Sequence, residues 1–202
     1  MTQRTLVVVS AGLSQPSTTR LLADQLAAAA VTAAAERDIH LDVTVVELRD
    51  LAHDIANNLL TGFPPAALGK AVDAVAAADA LIAVTPIFTA SYSGLFKSFI
   101  DVLDKDALTD KPVLIAATAG TARHSLALEH ALRPLFAYLR AVVIPTSVFA
   151  ASDDWGADSA AGTLRSRITR ATTELARELE RRDPVSVADP FALNVDFEDL
   201  LK

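Results

Sequence analysis

Short apolar segments recur along the chain at intervals that leave room for one helix between each pair. Five of them have the length and β-branched content of strands: 5–10, 41–48, 80–85, 112–118 and 142–149. This alternation is typical of βαβ units, so the sequence predicts an α/β protein with a five-stranded parallel sheet. The first segment is continuously apolar, as in a strand covered on both faces. The second alternates and is expected at an edge of the sheet.

Helix-forming segments fill the gaps between the strands. We expect helices over 17–37, 65–78, 93–103, 124–140 and 160–182. Pro134 lies inside the fourth of these and removes a backbone hydrogen bond, so a kink is expected there. The periodicity ends at Asp183, which indicates a single domain over residues 1–183 and a C-terminal tail over 184–202.

Composition and charge restrict the class of partner and of chemistry. The 202 residues carry 18 Lys and Arg against 25 Asp and Glu, a net charge of −7, which argues against nucleic acid or an anionic membrane as the main partner. The chain has no cysteine, so redox chemistry would require a bound cofactor. Because there is no signal-peptide pattern and the longest uncharged run is too short to span a membrane, we expect a cytoplasmic protein.

In a sheet of this kind, ligands bind outside the carboxyl ends of the strands, so the loops after strands one, three and four are the candidate sites. The first loop carries four hydroxyl groups around a predicted helix start, at Ser14, Ser17, Thr18 and Thr19. Free N–H groups and the positive end of the helix dipole favour a phosphate there, and Arg20 is placed to add charge. The alternative is that Ser17 only caps the helix.

The loop after the third strand is long and mixed in character. Pro86 removes one N–H and fixes the chain, which leaves the amides from Ile87 to Thr89 to address the edge of a planar ring system. Phe88 or Tyr92 is then placed to pack on that ring. The alternative is that Tyr92 belongs to the core or to an interface.

The loop after the fourth strand combines small residues with Gly120, which allows a ligand to approach the backbone closely. Arg123 and His124 follow at the start of the next helix, and Arg123 is a candidate contact for the 2′-phosphate of a dinucleotide. The alternative is a tight strand-to-helix turn without a ligand.

The sequence motifs of several other kinds of binding or catalytic site are absent. No Gly-x-Gly-x-x-Gly follows the first strand, no Walker loop occurs, and no Gly-x-Ser-x-Gly elbow is present. The four histidines have no metal-ligand spacing, so no metal site is expected.

Two segments resemble a known family, the NAD(P)H-dependent FMN reductases of flavodoxin-like fold. They are Thr85-Pro-Ile-Phe-Thr-Ala-Ser-Tyr-Ser-Gly94, continued by Lys97 and Asp101, and residues 117–134. The likeness extends over residues 5–149 and is closest to the alkanesulfonate-assimilation reductases and those paired with luciferase-like monooxygenases. It implies a flavodoxin-like three-layer α/β sandwich, FMN as the flavin, and NADPH or NADH as the hydride donor.

The resemblance also implies which residues bind FMN. Residues implied for the phosphate are Ser17, Thr18 and Thr19, with Ser10, Gly12 and Ser14 in the same loop; those implied for the ring and ribityl chain are Pro86, Ile87, Phe88, Thr89, Thr118, Ala119, Gly120 and Thr121. The chain departs from the family pattern in two places. Ala-Gly-Leu-Ser replaces the usual Gly-Ser-x-Arg opening, so an arginine near Thr18 is absent, and Phe88 replaces a tyrosine. No catalytic side chain is implied, since hydride transfer between stacked rings needs no protein acid or base.

The family's partners follow from the same resemblance. They are FMN, NAD(P)H and a luciferase-like monooxygenase that receives reduced FMN, in a homodimer or homotetramer. The related subgroup carries a helix bulge at its subunit interface, which aligns with His130. Two alternatives remain open: a quinone or azo reductase that keeps FMN bound, and a non-catalytic flavodoxin-like electron carrier.

Overall fold

The computed structural model describes residues 1–155 and 158–185, so most of the predicted tail lies outside the described residues. Its strands are β1 (Thr2–Ser10), β2 (Ile39–Glu47), β3 (Ala80–Phe88), β4 (Ser91–Tyr92), β5 (Pro112–Ala119), β6 (Val142–Val143) and β7 (Val148–Ala151). The order is β2-β1-β3-β5, and β6 and β7 pair in turn with β5. All of these pairs are parallel, which confirms the five predicted positions and the flavodoxin-like order, with β2 at an edge.

Helices cover both faces of the sheet. They are α1 (Thr18–Ala35), α2 (Ala52–Thr61), α3 (Ala66–Ala77), α4 (Gly94–Asp101), α5 (Arg133–Tyr138) and α6 (Asp158–Glu180). Alternate side chains of β1 enter two separate cores: Leu6 and Val8 pack with α1 and α6, and Val7 and Val9 with the helices of the opposite face. The predicted three-layer sandwich is therefore confirmed.

The sequence pattern over 142–149 predicts one continuous fifth strand. The structure instead divides it into β6 and β7, with residues 144–147 between them. Pro145 has no N–H to give to a ladder. The backbone N and the Oγ1 of Thr146 each lie 2.8 Å from a carboxylate oxygen of Glu174 on α6, which holds this segment against the helix.

The predicted helix over 124–140 is also interrupted. It consists of a 3₁₀ turn (Ala122–His124), a π-helical turn (Leu128–Leu132) and then α5. The N–H of Arg133 donates to the carbonyl of Leu128, five residues back, and Pro134 follows without an N–H. The bulge expected at His130 is therefore confirmed; its place at a subunit interface stays a prediction.

One helix, α2, was not predicted. Its apolar residues recur at helical spacing, at positions 52, 55, 56, 59 and 60, so the sequence held a signal that could have predicted it. Ile55 is nevertheless its one fully buried side chain.

At the amino ends of the strands, buried cations meet the carboxyl ends of two helices. The Nζ of Lys111 donates to the carbonyl oxygens of Val75 (2.5 Å) and Ala76 (2.8 Å) at the end of α3, and the Arg4 guanidinium donates to the carbonyl of Arg182 after α6. Burial lowers the pKa of Lys111 from 10.5 to about 8, an effect that the charge of Asp79 partly opposes.

This shift predicts a pH dependence of folding stability. Between about pH 8 and pH 10.5 the unfolded chain holds a proton on Lys111 that the folded chain has lost, so the free energy of unfolding rises with pH across that window. We expect Lys111→Met to flatten this rise in urea unfolding measured at pH 8 and pH 10. Lys70→Met, at an exposed position of α3, is the control and should keep the wild-type slope; equal slopes in Lys111→Met and wild type would contradict the prediction.

Candidate functional site

A cleft of about 340 Å³ lies at the carboxyl ends of β1, β3 and β5. It is lined by all three predicted loops and by the loop after β7, through Leu13, Ser14, Ser17, Thr18, Thr19, Pro86, Ile87, Phe88, Thr118, Ala119, Gly120, Ser152 and Trp155. Of the residues implied for FMN, Ser10, Gly12, Thr89 and Thr121 do not line it. The structure thus brings most of the predicted set into one cleft, while their binding role stays a prediction.

The first loop places hydroxyl groups at the amino end of α1. Ser17 is the N-cap, and its Oγ accepts a hydrogen bond from the N–H of Arg20 (3.2 Å). Thr18 is the first helical residue and is exposed to the cleft. Ser17 therefore caps the helix, as the simpler interpretation held, and also lies where the free N–H groups of the first turn favour an anion.

Gly12 determines how closely this loop approaches the helix start. A Cβ at Gly12 would lie 2.0 Å from the Oγ of Ser17 and 3.1 Å from the Cβ of Thr19, so no side chain fits there. Ser10, just before it, is buried, and its Oγ has no hydrogen-bond partner among the described residues. Gly12 and Ser10 thus support the floor of the loop without reaching the cleft.

A buried hydrogen bond joins the first loop to the loop after β5. The hydroxyl oxygens of Thr19 and Thr118, far apart in sequence, lie 2.8 Å from each other. Thr19 is buried and its hydroxyl is engaged in this way, whereas Thr18 is exposed to the cleft and the Oγ of Ser17, which accepts from Arg20, keeps its proton to donate. The bond also fixes the relative position of two walls of the cleft.

The third wall is a hairpin that the sequence did not predict. β3 pairs with β4 in antiparallel register across a two-residue turn at Thr89 (φ 49°) and Ala90 (φ 70°). Such turns normally use Asn or Gly, so the sequence carried no signal for it. A left-handed conformation costs a non-glycine residue about 1–2 kcal/mol, and such strain is concentrated at functional sites.

The hairpin decides which aromatic residue faces the cleft. Phe88 lines the cleft and is 47% exposed. Tyr92 instead packs on Phe96, with ring centroids 6.0 Å apart, and Phe96 packs on Phe136 in the core. Phe88 is therefore the aromatic side chain of the site, and Tyr92 belongs to the core.

No charged side chain lines the cleft among the residues that the structure describes. Arg20 turns away and binds Asp24 (2.7 Å) and Glu47 (2.5 Å). The hydrogen bond that Arg20 donates to Asp24, together with the charges of both carboxylates, raises the pKa of Arg20. Arg49 donates to the carbonyl of Ser14 (3.2 Å) without lining the cleft. An anion in the cleft would therefore be held by neutral hydroxyls and backbone N–H groups.

Sequence reasoning missed the wall formed after β7. Ser152 and Trp155 belong to a 3₁₀ turn (Ser152–Trp155), which Asp154 holds by accepting from the N–H of Ala151 (2.8 Å) and from Arg167 (3.0 Å). The rule that ligands bind at the carboxyl ends of parallel strands applies to the fifth strand as well. Applied to the loop after the fifth strand, that rule would have pointed to Trp155, which is the single tryptophan of the chain.

Among residues 1–155 and 158–185, no cluster of three or more His, Asp or Glu side chains has metal-binding geometry. No helix there is long and apolar enough to cross a membrane.

The fold and the cleft define a flavodoxin-like protein with a candidate nucleotide-binding site. The family model for NADPH-dependent FMN reductase matches residues 4–156. The chain therefore belongs to this family, which confirms the resemblance seen in the sequence.

Individual relatives agree with the family match. The chain is 39% identical over 150 residues to "FMN reductase (NADPH)" of Pseudomonas aeruginosa, covering 74% of this chain and 78% of the relative. It is 37% identical to the NADH-dependent FMN reductase SfnE of Pseudomonas putida, with coverage of 81% and 87%. Among solved structures, an oxidoreductase from Corynebacterium diphtheriae superimposes with a TM-score of 0.87 at 48% identity, over 91% of this chain and all of that one.

The close approach at Gly12 leads to a prediction with a matched control. We expect Gly12→Ala to lower the free energy of unfolding by about 1–3 kcal/mol, because the added methyl group displaces Ser17. Gly69→Ala, inside α3 with open space around its Cβ position, should raise it by about 0.5–1 kcal/mol. Urea unfolding measures both, and a Gly12→Ala variant as stable as wild type would contradict this account of the loop.

Proposed function

We propose that this protein is an NAD(P)H-dependent FMN reductase that binds FMN weakly and releases reduced FMN to a separate flavin-dependent monooxygenase. Family membership supports the reductase activity. The observation that carries the release step is the absence of any charged side chain from the described lining of the cleft.

The residues of the cleft fit FMN. Ser17 and Thr18, with the free N–H groups at the start of α1, would hold the phosphate. Segments 86–88 and 118–120 would line the ring and the ribityl chain, with Phe88 as the aromatic contact. When bound, FMN accepts a hydride from the nicotinamide. The chain's part is to bind and orient the two reactants and exclude water, which requires no acid or base side chain.

Electrostatics favours release of the flavin. Hydroxyl and N–H donors bind a phosphate without the Coulombic attraction that a guanidinium or ammonium group adds, and no charged side chain lines the cleft among the described residues. The net charge of −7 adds a weak repulsion of the FMN phosphate. A quinone or azo reductase that retains its flavin would benefit from a stronger phosphate site.

An acceptor for the released product is part of the proposal. Free reduced flavin reacts with oxygen in solution, so its productive use requires an enzyme that captures it. The likeness to reductases paired with luciferase-like monooxygenases supports such a partner, in the cytoplasm.

Assembly of identical subunits is also proposed. Leu60, in the last turn of α2, and Phe63, just after it, are 86% and 81% exposed and lie three positions apart. Large exposed apolar side chains of this kind mark interaction surfaces when they lie together. Light scattering should give a homodimer or homotetramer, and a monomer would contradict this part of the proposal.

The reductase proposal is tested by steady-state oxidation of NADH and NADPH, with and without added FMN, on protein passed through gel filtration. We expect a colourless protein whose activity depends on added FMN. A yellow protein that is active without added FMN would support the bound-flavin quinone or azo reductase. Absence of activity under both conditions would support the electron carrier.

Restoring a cation to the phosphate end of the cleft should convert weak binding into tight binding. We expect Thr18→Arg to lower the dissociation constant of FMN by at least about tenfold, because a charged hydrogen bond adds about 1.5–3 kcal/mol. Riboflavin, which lacks the phosphate, should bind as before. Thr32→Arg, an exposed position near the other end of α1, adds the same charge and is the control. Equal tightening of FMN and riboflavin, or no tightening, would contradict the assignment of Thr18.

A further inference from the structure

A second cavity adjoins the cleft and shares Trp155 with it. It has a volume of about 350 Å³ and lies between α1 and α6. Its floor is apolar, formed by the buried side chains of Leu164 and Ile168, and Ala28 forms part of the opposite wall. Gln25 supplies an exposed amide at the rim. The indole of Trp155 therefore borders both cavities, and nothing in the proposed flavin site accounts for the second one.

Trp155 lines both cavities, so the second cavity lies directly beside the cleft. A dinucleotide whose nicotinamide lies on the flavin in the cleft would extend past Trp155 to place its adenosine in the second cavity.

Two arginines give the mouth of this cavity a local positive charge. Arg165 lines the cavity and, with Ser166, Thr169 and Arg170, also lines an adjoining depression on α6. Both arginines are exposed, and neither is in an ion pair within the described part of the chain. Asp154, the one carboxylate among the described residues that line the cavity, is already paired with Arg167 (3.0 Å). On a chain of net charge −7, this arrangement favours an anionic ligand.

We propose that the cavity between α1 and α6 binds the adenosine of NADPH and that Arg165 and Arg170 bind its 2′-phosphate. An apolar slot with an aromatic wall fits the adenine ring, and the Gln25 amide fits its polar edge. Two guanidinium groups beside two hydroxyls fit a phosphate monoester dianion. The inference rests on the proposed function, and it predicts a preference for NADPH over NADH.

The first test compares the two dinucleotides in steady-state reduction of FMN. We expect Arg165→Gln and Arg170→Gln each to raise the KM for NADPH about tenfold, as loss of a charged hydrogen bond would. The KM for NADH and both kcat values should stay within about twofold, since NADH has no 2′-phosphate. Arg177→Gln, an exposed position farther along α6, is the matched control and should leave all of these constants unchanged.

Arg123, in the loop after β5, is the competing candidate for the 2′-phosphate. If Arg123→Gln raises the KM for NADPH and the α6 variants do not, the proposal is overturned. Equal increases for NADH and NADPH in the α6 variants would also overturn it, because the arginines would then not distinguish the 2′-phosphate. If the wild type reduces FMN with NADH and neither α6 variant changes the KM for NADPH, this inference is contradicted and the reductase proposal stays intact.

The second test measures binding without turnover, on the full chain in the absence of FMN. Adenosine 2′,5′-bisphosphate and adenosine 5′-phosphate are titrated calorimetrically and by the fluorescence of Trp155, the single tryptophan. We expect the bisphosphate to bind at least about tenfold more tightly, and this difference to vanish in the Arg165→Gln/Arg170→Gln double variant. Equal affinities in the wild type, or a difference that persists in the double variant, would overturn the proposal.

Discussion

Burial of β1, β3 and β5 on both faces of the sheet is the constraint on which the rest of the structure depends. Leu6, Ile82 and Leu114 enter one core, and Val7, Leu81 and Ile115 enter the other. Each fully buried aliphatic side chain contributes about 1.5–3 kcal/mol, so helices must cover both faces. With both faces covered, the carboxyl ends of the strands are the place where loops from several strands meet around a ligand, and the cleft lies there.

The same constraint explains how much of the fold could be predicted from the sequence. Strands buried on both faces leave long apolar runs, and α1, α3, α4 and α6 pack broadly enough to leave helical patterns. Features that depend on one or two residues left no such signal. Pro145 and the Thr146–Glu174 contact divide the fifth strand, and the turn at Thr89 and Ala90 uses residues that its backbone conformation disfavours. The helix α2 differs from these, because its apolar residues do have helical spacing and could have been recognised.

The candidate site was predicted loop by loop, yet the roles within each loop required the tertiary structure. The sequence could not show that Thr19 bonds to Thr118, or that Gly12 supports the cap instead of facing the cleft. Nor could it show that Arg20 is taken up by Asp24 and Glu47, since Glu47 lies on β2. Thr19 and Thr118, like Arg20 and Glu47, are distant in sequence, so only the tertiary structure brings them together. Because two carboxylates hold Arg20, its charge is directed away from the cleft, and no charged side chain lines the cleft among the described residues. This is the physical reason for proposing that FMN is a substrate that leaves.

The most direct test of this account is the dissociation constant of FMN measured calorimetrically at low and high salt, about 0.05 M and about 0.5 M. If neutral groups alone hold the phosphate, the affinity should change by less than about twofold, or tighten slightly as salt screens the net charge of −7. A marked loss of FMN affinity at high salt, absent for riboflavin, would show that a cation contacts the phosphate and would contradict the account.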